Sequence, residues 1–312
     1  MKHQLPTGNM RIGFWMAVIG ALLFSTKAIW VKLAYRDTGV DATTLLFIRM
    51  LFSLPFYLLL FLFIQWRDRK NRTIGFQEWL AMIAMGFIGY YASSLFDFIG
   101  LQYVSAGLER LILFIYPTLS VLINGWWFKI RITIQQKWAL LLTYVGILLA
   151  CFSEFASVSV KSGFYFGVIM IVLCAITYAF YLVGTGKLVQ KAGVIRYTST
   201  TMLAATAGIG IHFSISESKG AFTLDTSLIT YGMGLALIAT VIPSLLMSSG
   251  MKRIGSNQVS IITSIGPVST ILQAHFFLQE SILFLQMLGT ALVIAGVALI
   301  SRNQPDVEES PV

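Results

Sequence analysis

An all-helical integral membrane fold, ten transmembrane helices in two inverted five-helix repeats, is what this 312-residue sequence predicts. Three observations lead there. First, 57% of the residues are hydrophobic and 11% charged, with a mean hydropathy of +0.79, which leaves too few charges to clothe a water-soluble core. Second, the chain repeats itself: Gly13-Phe14 recurs as Gly163-Phe164, and Gly100, Pro117, Gln136 and Gly146 recur in register as Gly250, Pro267, Gln286 and Gly296. Third, basic residues gather on alternate loops. An odd number of spans per copy turns the second copy upside down, the arrangement of carriers that open alternately to the two sides.

A helix needs about 20 apolar residues to cross the hydrocarbon. The apolar runs divide into spans 14–34, 43–64, 79–99, 106–128, 138–153, 163–184, 196–213, 228–248, 258–278 and 284–301. The first repeat covers 13–153 and the second 163–301; the tail 302–312 is acidic, contains proline and is expected to be disordered. The first span follows a short basic stretch and lacks a small-x-small cleavage site, so it reads as a retained helix. The two longest polar connections, 65–78 and 214–227, each follow the second span of a repeat. Gly184-Thr185-Gly186-Lys187 superficially resembles a phosphate loop, but its spacing is wrong and no Ser or Thr follows the lysine; a C-terminal helix turn is the simpler reading. Pro117 and Pro267 are expected to kink the fourth and ninth spans around a cavity.

The net charge of +9 would suggest nucleic acid in a soluble chain, but here the basic residues mark topology. Lys2, Arg11, Arg67, Arg69, Lys70, Arg72, Lys129, Arg131, Lys137, Lys187, Lys191, Arg196, Lys252, Arg253 and Arg302 fall on one side, against Lys32, Arg36, Lys161 and Lys219 on the other. Both termini are therefore expected in the cytoplasm, in a multi-pass protein of the inner (plasma) membrane. Cys151 and Cys174 lie in apolar runs and suggest small core residues.

Ionisable groups inside hydrocarbon need a partner or a wet cavity. The spans contain Lys27, Arg49, Asp97, Glu109, Arg110 and His275, all about 3–11 Å from the outward boundary at ~1.5 Å per residue. Their repeat counterparts are neutral: Thr177 for Lys27, Met247 for Asp97, Val259-Ser260 for Glu109-Arg110. The layer reads as a head-group site or an outer gate, with Lys27, Asp97 and Arg110 as substrate contacts. Glu109, His275 and Arg49 are coupling or gate candidates, Asp97, Glu109 and His275 being able to titrate in a proton-coupled cycle. The bland alternative is that Asp97 or Glu109 neutralises Arg49 or Arg110 and ties helices together. Tyr116, Tyr178 and Tyr181 lie nearer mid-span and can line a cavity, offering an apolar face and one hydrogen bond to an organic substrate. Trp66, Trp79, Trp126 and Trp127 suit the lipid–water boundary. No His-Glu-x-x-His, zinc-spaced cysteine pair or Gly-x-Ser-x-Gly elbow is present, so neither enzyme chemistry, nor a cofactor, nor a metal is expected.

Gly100 through Gly107 leading to Pro117, the matching Gly250 to Pro267 segment, Phe277 with Glu280, then Gln286, Gly289 and Gly296 give the chain its family likeness. In that order they resemble the drug/metabolite transporter superfamily, in its ten-helix EamA branch, over almost the whole length. Arg49 also resembles the family pattern, whereas Ile130 stands where the second copy has Glu280. The resemblance implies a basket-like helical bundle around a central cavity and export of small organic metabolites or drugs. The expected function is secondary transport of a small polar, amino acid-like solute, outward, by alternating access, energised by a gradient. A multidrug or toxic-cation exporter is the alternative; a channel or an intramembrane enzyme is less supported. The expected partners are the small-molecule substrate, a coupling proton and the lipid bilayer, with no nucleic acid.

Overall fold

The computed structural model describes residues 7–67, 74–116, 118–119, 122–123, 134–157, 162–215, 225–263 and 265–302. Among the described residues all regular structure is helical. In chain order the helices are α1 (Thr7–Ser25), α2 (Lys27–Thr38), α3 (Ala42–Arg67), α4 (Phe76–Gly86), α5 (Ser93–Gly100), α6 (Ala106–Leu113), α7 (Ile134–Ser157), α8 (Phe164–Ala192), α9 (Val194–Ile215), α10 (Thr226–Ala236), α11 (Ile242–Thr263), α12 (Ile265–Leu278) and α13 (Phe284–Arg302). Wider π-helical turns, Phe87–Ala92 and Leu237–Val241, join α4 to α5 and α10 to α11.

Among the described residues, five stretches are long and apolar enough to cross a membrane: Met10–Thr38, Ala42–Arg67, Phe76–Gly100, Phe164–Thr185 and Thr226–Gly250. Shorter apolar helices, Leu141–Ser153, Ile265–Leu278 and Phe284–Gly296, accompany them. Large apolar side chains face outward along these helices, Leu59 at 66%, Leu148 at 68% and Phe276 at 75% exposure among them. Water would penalise such a surface, whereas lipid tails accept it.

Where lipid surrounds the bundle, apolar burial no longer drives helix association, and close packing of small residues takes over. The recurrent glycines do this work in exchange-related pairs. A side chain at Gly13 would begin 2.8 Å from the Arg253 Cβ, and one at Gly163 would meet the Tyr103 ring; 13 corresponds to 163 and 103 to 253. Likewise Gly100 lies against Ile171 and Gly167, and Gly250 against Ala17 and Gly13. The same exchange governs the helix pairs: α1 packs on α11 as α5 packs on α8, while α3 with α9 and α7 with α13 pair equivalent elements of the two halves. The π-helical turns obey it too, since Phe87 corresponds to Leu237.

Three sequence expectations change. The first span breaks at Thr26 because Thr26 Oγ1 donates to the Leu23 carbonyl (2.7 Å) and Ser25 Oγ to that of Ala21 (2.8 Å), side-chain bonds that compete with the helical ladder. Gly184–Lys187 is not a terminal turn: α8 runs on to Ala192 and ends at Gly193, whose positive φ of 80° and N–H bond to Val189 O (2.8 Å) close the helix. The loop expected between 248 and 258 keeps helical backbone within α11. In the first repeat Ser105 accepts from Leu108 N (3.1 Å) and starts α6 afresh; its counterpart Gly255 has no side chain with which to cap. Pro267 lies within helical backbone, as expected, in α12. Pro117, Ile130, Trp126, Trp127, the loop charges Arg69, Lys70, Arg72, Lys129, Arg131, Lys161 and Lys219, and the tail from 303 lie outside the described residues.

Candidate functional site

Two backbone irregularities deliver the buried charges. The break at Thr26 frees the Ser25 carbonyl, which accepts Thr270 Oγ1 of α12 at 3.3 Å, while Ser25 Oγ reaches the Gly266 carbonyl at 3.4 Å. Backbone groups loosened inside a membrane need such replacements. Lys27 begins α2 directly after the break. On the neighbouring helix the π-helical turn Phe87–Ala92 inserts about one residue, rotating the rest of that span by ~100° about its axis. Ser93, Asp97, Phe98 and Gly100 of α5 thereby face inward and are buried.

At the meeting point Lys27 Nζ lies 2.7 Å from Asp97 Oδ2 and 3.4 Å from Glu109 Oε1. Lys27 is 7% exposed, Asp97 2% and Glu109 0%. One ammonium on the first span thus ties together carboxylates from α5 and α6. Asp97 and Glu109 also lie against each other, so the two carboxyl groups share a single ammonium. Such groups are costly to bury unless something further binds them.

The two arginines do not share this pairing, against the expectation that Asp97 or Glu109 neutralises one of them. Arg49 of α3 reaches Ser94 Oγ at 3.4 Å and lies over the Phe98 ring at 5.2 Å. Arg110 of α6 lies over the Phe24 ring at 5.6 Å, the same ring that Lys27 approaches at 5.8 Å. His275 stands apart from the layer: it is exposed and its Nδ1 contacts the Glu280 carbonyl at 2.9 Å, held by a turn of its own chain segment. The sequence could not show that its side of α12 faces outward.

Glu280, noted only as a family-like residue, has a visible task. Its carboxylate accepts the Ala106 amide at 3.1 Å and the Gly107 amide at 3.5 Å, anchoring the second repeat to the start of α6. A negative charge at a helix N-terminus also meets the positive end of its dipole.

Inward from the ionic layer runs a ladder of tyrosines. Tyr116 meets Tyr178 edge-on at 5.1 Å, Tyr178 stacks on Tyr181 at 5.8 Å, and Tyr181 stacks on Tyr197 at 6.1 Å and meets Tyr90 at 5.1 Å. Tyr181 presses on Gly89, inside the π-helical turn, where a larger residue would occupy its ring space. Thr185 Oγ1 and Tyr197 OH are 2.6 Å apart. Sequence reasoning found Tyr116, Tyr178 and Tyr181 but missed Tyr90, Tyr197 and Phe24, because their meeting depends on helix phase. Cys174, taken as a core residue, is buried with its Sγ 3.2 Å from Ser93 Oγ, one turn from Asp97. No group of three His, Cys, Asp or Glu side chains suited to a metal occurs among the described residues.

Comparison with known proteins fits this architecture. Residues 11–152 and 165–302 each match the EamA-like transporter family. The uncharacterized transporter YcbK of Bacillus subtilis (strain 168) is 32% identical over 295 residues, covering 92% of each chain. An uncharacterized transporter of Archaeoglobus fulgidus is 25% identical over 94% of this chain and 98% of its own, and the uncharacterized inner membrane transporter YicL of Salmonella typhimurium is 25% identical over 95% and 97%. A solved crystal structure shares the fold, with a TM-score of 0.64 at 17% identity over 95% of this chain and 96% of that one. Matched in both halves and aligned nearly end to end with proteins named as transporters, the chain belongs to the EamA-like transporter family and is a multi-pass membrane transporter.

Proposed function

We propose that the protein is a secondary transporter that carries a small polar, amino acid-like metabolite out of the cell by alternating access. In this reading ten spans form two five-helix repeats of opposite orientation in the inner membrane, with both termini in the cytoplasm. The substrate sits between the ionic layer and the tyrosine ladder. The observation that carries the reading is the buried Lys27–Asp97–Glu109 cluster, whose anchoring break in the first span is braced by α12 of the other repeat. Ionisable groups at such depth mark substrate or ion paths more often than scaffolding, and carriers with inverted repeats bind at the repeat interface. The Salmonella relative, an inner membrane transporter by name, supports the inner membrane, and the family likeness supports export. Glu109, fully buried against Asp97 and sharing a single ammonium with it, is the group best placed to exchange a coupling proton.

A toxic-cation exporter is less well supported, since Lys27 already occupies both carboxylates that are buried among the described residues. Counterflow decides the matter. Proteoliposomes preloaded with an unlabelled amino acid mixture should transiently concentrate external labelled amino acids, and Lys27→Ala should abolish this. Normal counterflow in that variant would remove Lys27 from the mechanism; none in the wild type, alongside counterflow of quaternary ammonium cations, would replace the substrate class.

A further inference from the structure

Three cationic side chains share the buried layer with two carboxylates, and both carboxylates are spent on Lys27. Asp97 and Glu109 are the only buried carboxylates among the described residues. Arg49 and Arg110, 4% and 6% exposed, therefore make no ion pair there. Each has an Nε without a hydrogen-bond partner and a phenyl ring beneath its guanidinium. A desolvated cation–π contact contributes about 2 kcal/mol, less than the several kcal/mol that burying a charge costs.

The two arginines are not equivalent. Arg49 has Ser94 Oγ within 3.4 Å and belongs wholly to the packing of the first repeat. Arg110 makes no side-chain hydrogen bond among the described residues, and it reaches the other repeat. Its Nη2 lies 2.8 Å from where a Cβ on Gly266 would stand, so the missing side chain at 266 leaves room for the guanidinium. The corresponding residue in the first repeat is Tyr116, whose ring would not leave that room. Arg110 is also within electrostatic reach of the Tyr116 and Tyr178 hydroxyls. A planar fork of N–H donors thus sits at the junction of the repeats, at the head of an aromatic wall.

Building on the transporter reading, we propose that the substrate is an organic monocarboxylate, its carboxylate bound by Arg110 and its apolar body lying on Tyr116, Tyr178 and Tyr181. Arginine matches a carboxylate with two parallel hydrogen bonds. Arg110 offers one guanidinium at the junction of the repeats, the complement of a single carboxylate. Lys27, expected from the sequence to touch substrate, is instead the internal counterion of Asp97 and Glu109. Any ammonium on the substrate adds nothing to recognition, because no carboxylate is left for it.

Thermal unfolding of the purified protein in detergent tests this with 4-methylpentanoate, leucine and 3-methylbutylamine, which share one branched hydrocarbon body. The two carboxylates should raise the melting temperature, and the amine should not. Arg110→Gln should weaken 4-methylpentanoate at least tenfold while Lys191→Gln, at the exposed pair with Glu78, leaves its apparent affinity unchanged. In the wild type, phenylglyoxal should modify Arg110, and 4-methylpentanoate but not 3-methylbutylamine should protect it, which holds the test open if Arg110→Gln fails to fold. Stabilisation by the amine, no stabilisation by either carboxylate, or labelling of Arg110 regardless of the acid would each overturn the proposal. Counterflow of other solutes would survive such a result, so the transporter reading and the substrate class fail separately.

Discussion

The two repeats share a backbone plan yet solve the mid-membrane differently. In the first, Lys27 is satisfied only by reaching Asp97 on α5 and Glu109 on α6. In the second, its counterpart Thr177 turns its hydroxyl onto its own helix, to Leu173 O at 2.9 Å and Cys174 O at 3.0 Å, and Met247 and Val259 replace the acids. A charge in a low-dielectric interior forces cross-links between helices, whereas a hydroxyl can be satisfied locally. The polar half is therefore internally locked and chemically specific, while the apolar half is held by packing.

The largest effect should come from breaking that lock on one side. Lys27→Ala leaves two buried carboxylates unpaired and should cost about 3–5 kcal/mol, read as a large fall in melting temperature in detergent. Writing the second repeat into the first, as Lys27→Thr with Asp97→Met and Glu109→Val, should return stability to wild type or above, because an apolar replacement of a whole buried ion cluster is neutral or stabilising. Counterflow should stay absent. A triple variant as unstable as the single one would mean that the cluster stabilises the fold in its own right.

Next come the exchange-related glycines. Gly163→Ala should cost more than Gly13→Ala, since both residues face a close neighbour but only Gly163 also has a positive φ, of 94°. The expected difference is about 1 kcal/mol, from denaturation of the two variants side by side. Equal losses would show that contact alone decides.

Smaller still is the bridge between repeats at Glu280. Glu280→Ala removes the acceptor for the Ala106 and Gly107 amides and should cost about 1 kcal/mol, visible as faster amide exchange at the start of α6. The smallest change belongs to the exposed pair Lys191–Glu78 (3.4 Å), where Lys191→Ala should alter stability by about 0–1 kcal/mol and less at high salt.

Legibility from sequence depended on the kind of signal. The repeat was visible because Gly13, Gly100, Gly163 and Gly250 must be small for helices to touch, and that requirement leaves an offset of 150 in the chain. The buried charges stood out because a lysine or glutamate in an apolar run is conspicuous whatever its surroundings. Their pairing was not legible: Arg49 and Arg110 were as plausible partners for Asp97 as Lys27, and only helix phase separated them. The same holds for His275, whose outward direction also depends on helix phase. The break at Thr26 left a signal in Ser25-Thr26, whereas the π-helical turns left none.

Composition and spacing by themselves determined that this chain is a bundle of membrane helices written twice, with Lys27, Asp97 and Glu109 in one copy facing neutral residues at the matching positions of the other. Those properties are sums over residues, and the solvent acts on sums. Tertiary structure decided that Lys27 takes both acids, that Arg110 faces the second repeat across Gly266, and that the tyrosines align below it. These contacts depend on rotations of ~100° per residue about each helix axis, and a single inserted residue at a π-helical turn redirects every later side chain of its span.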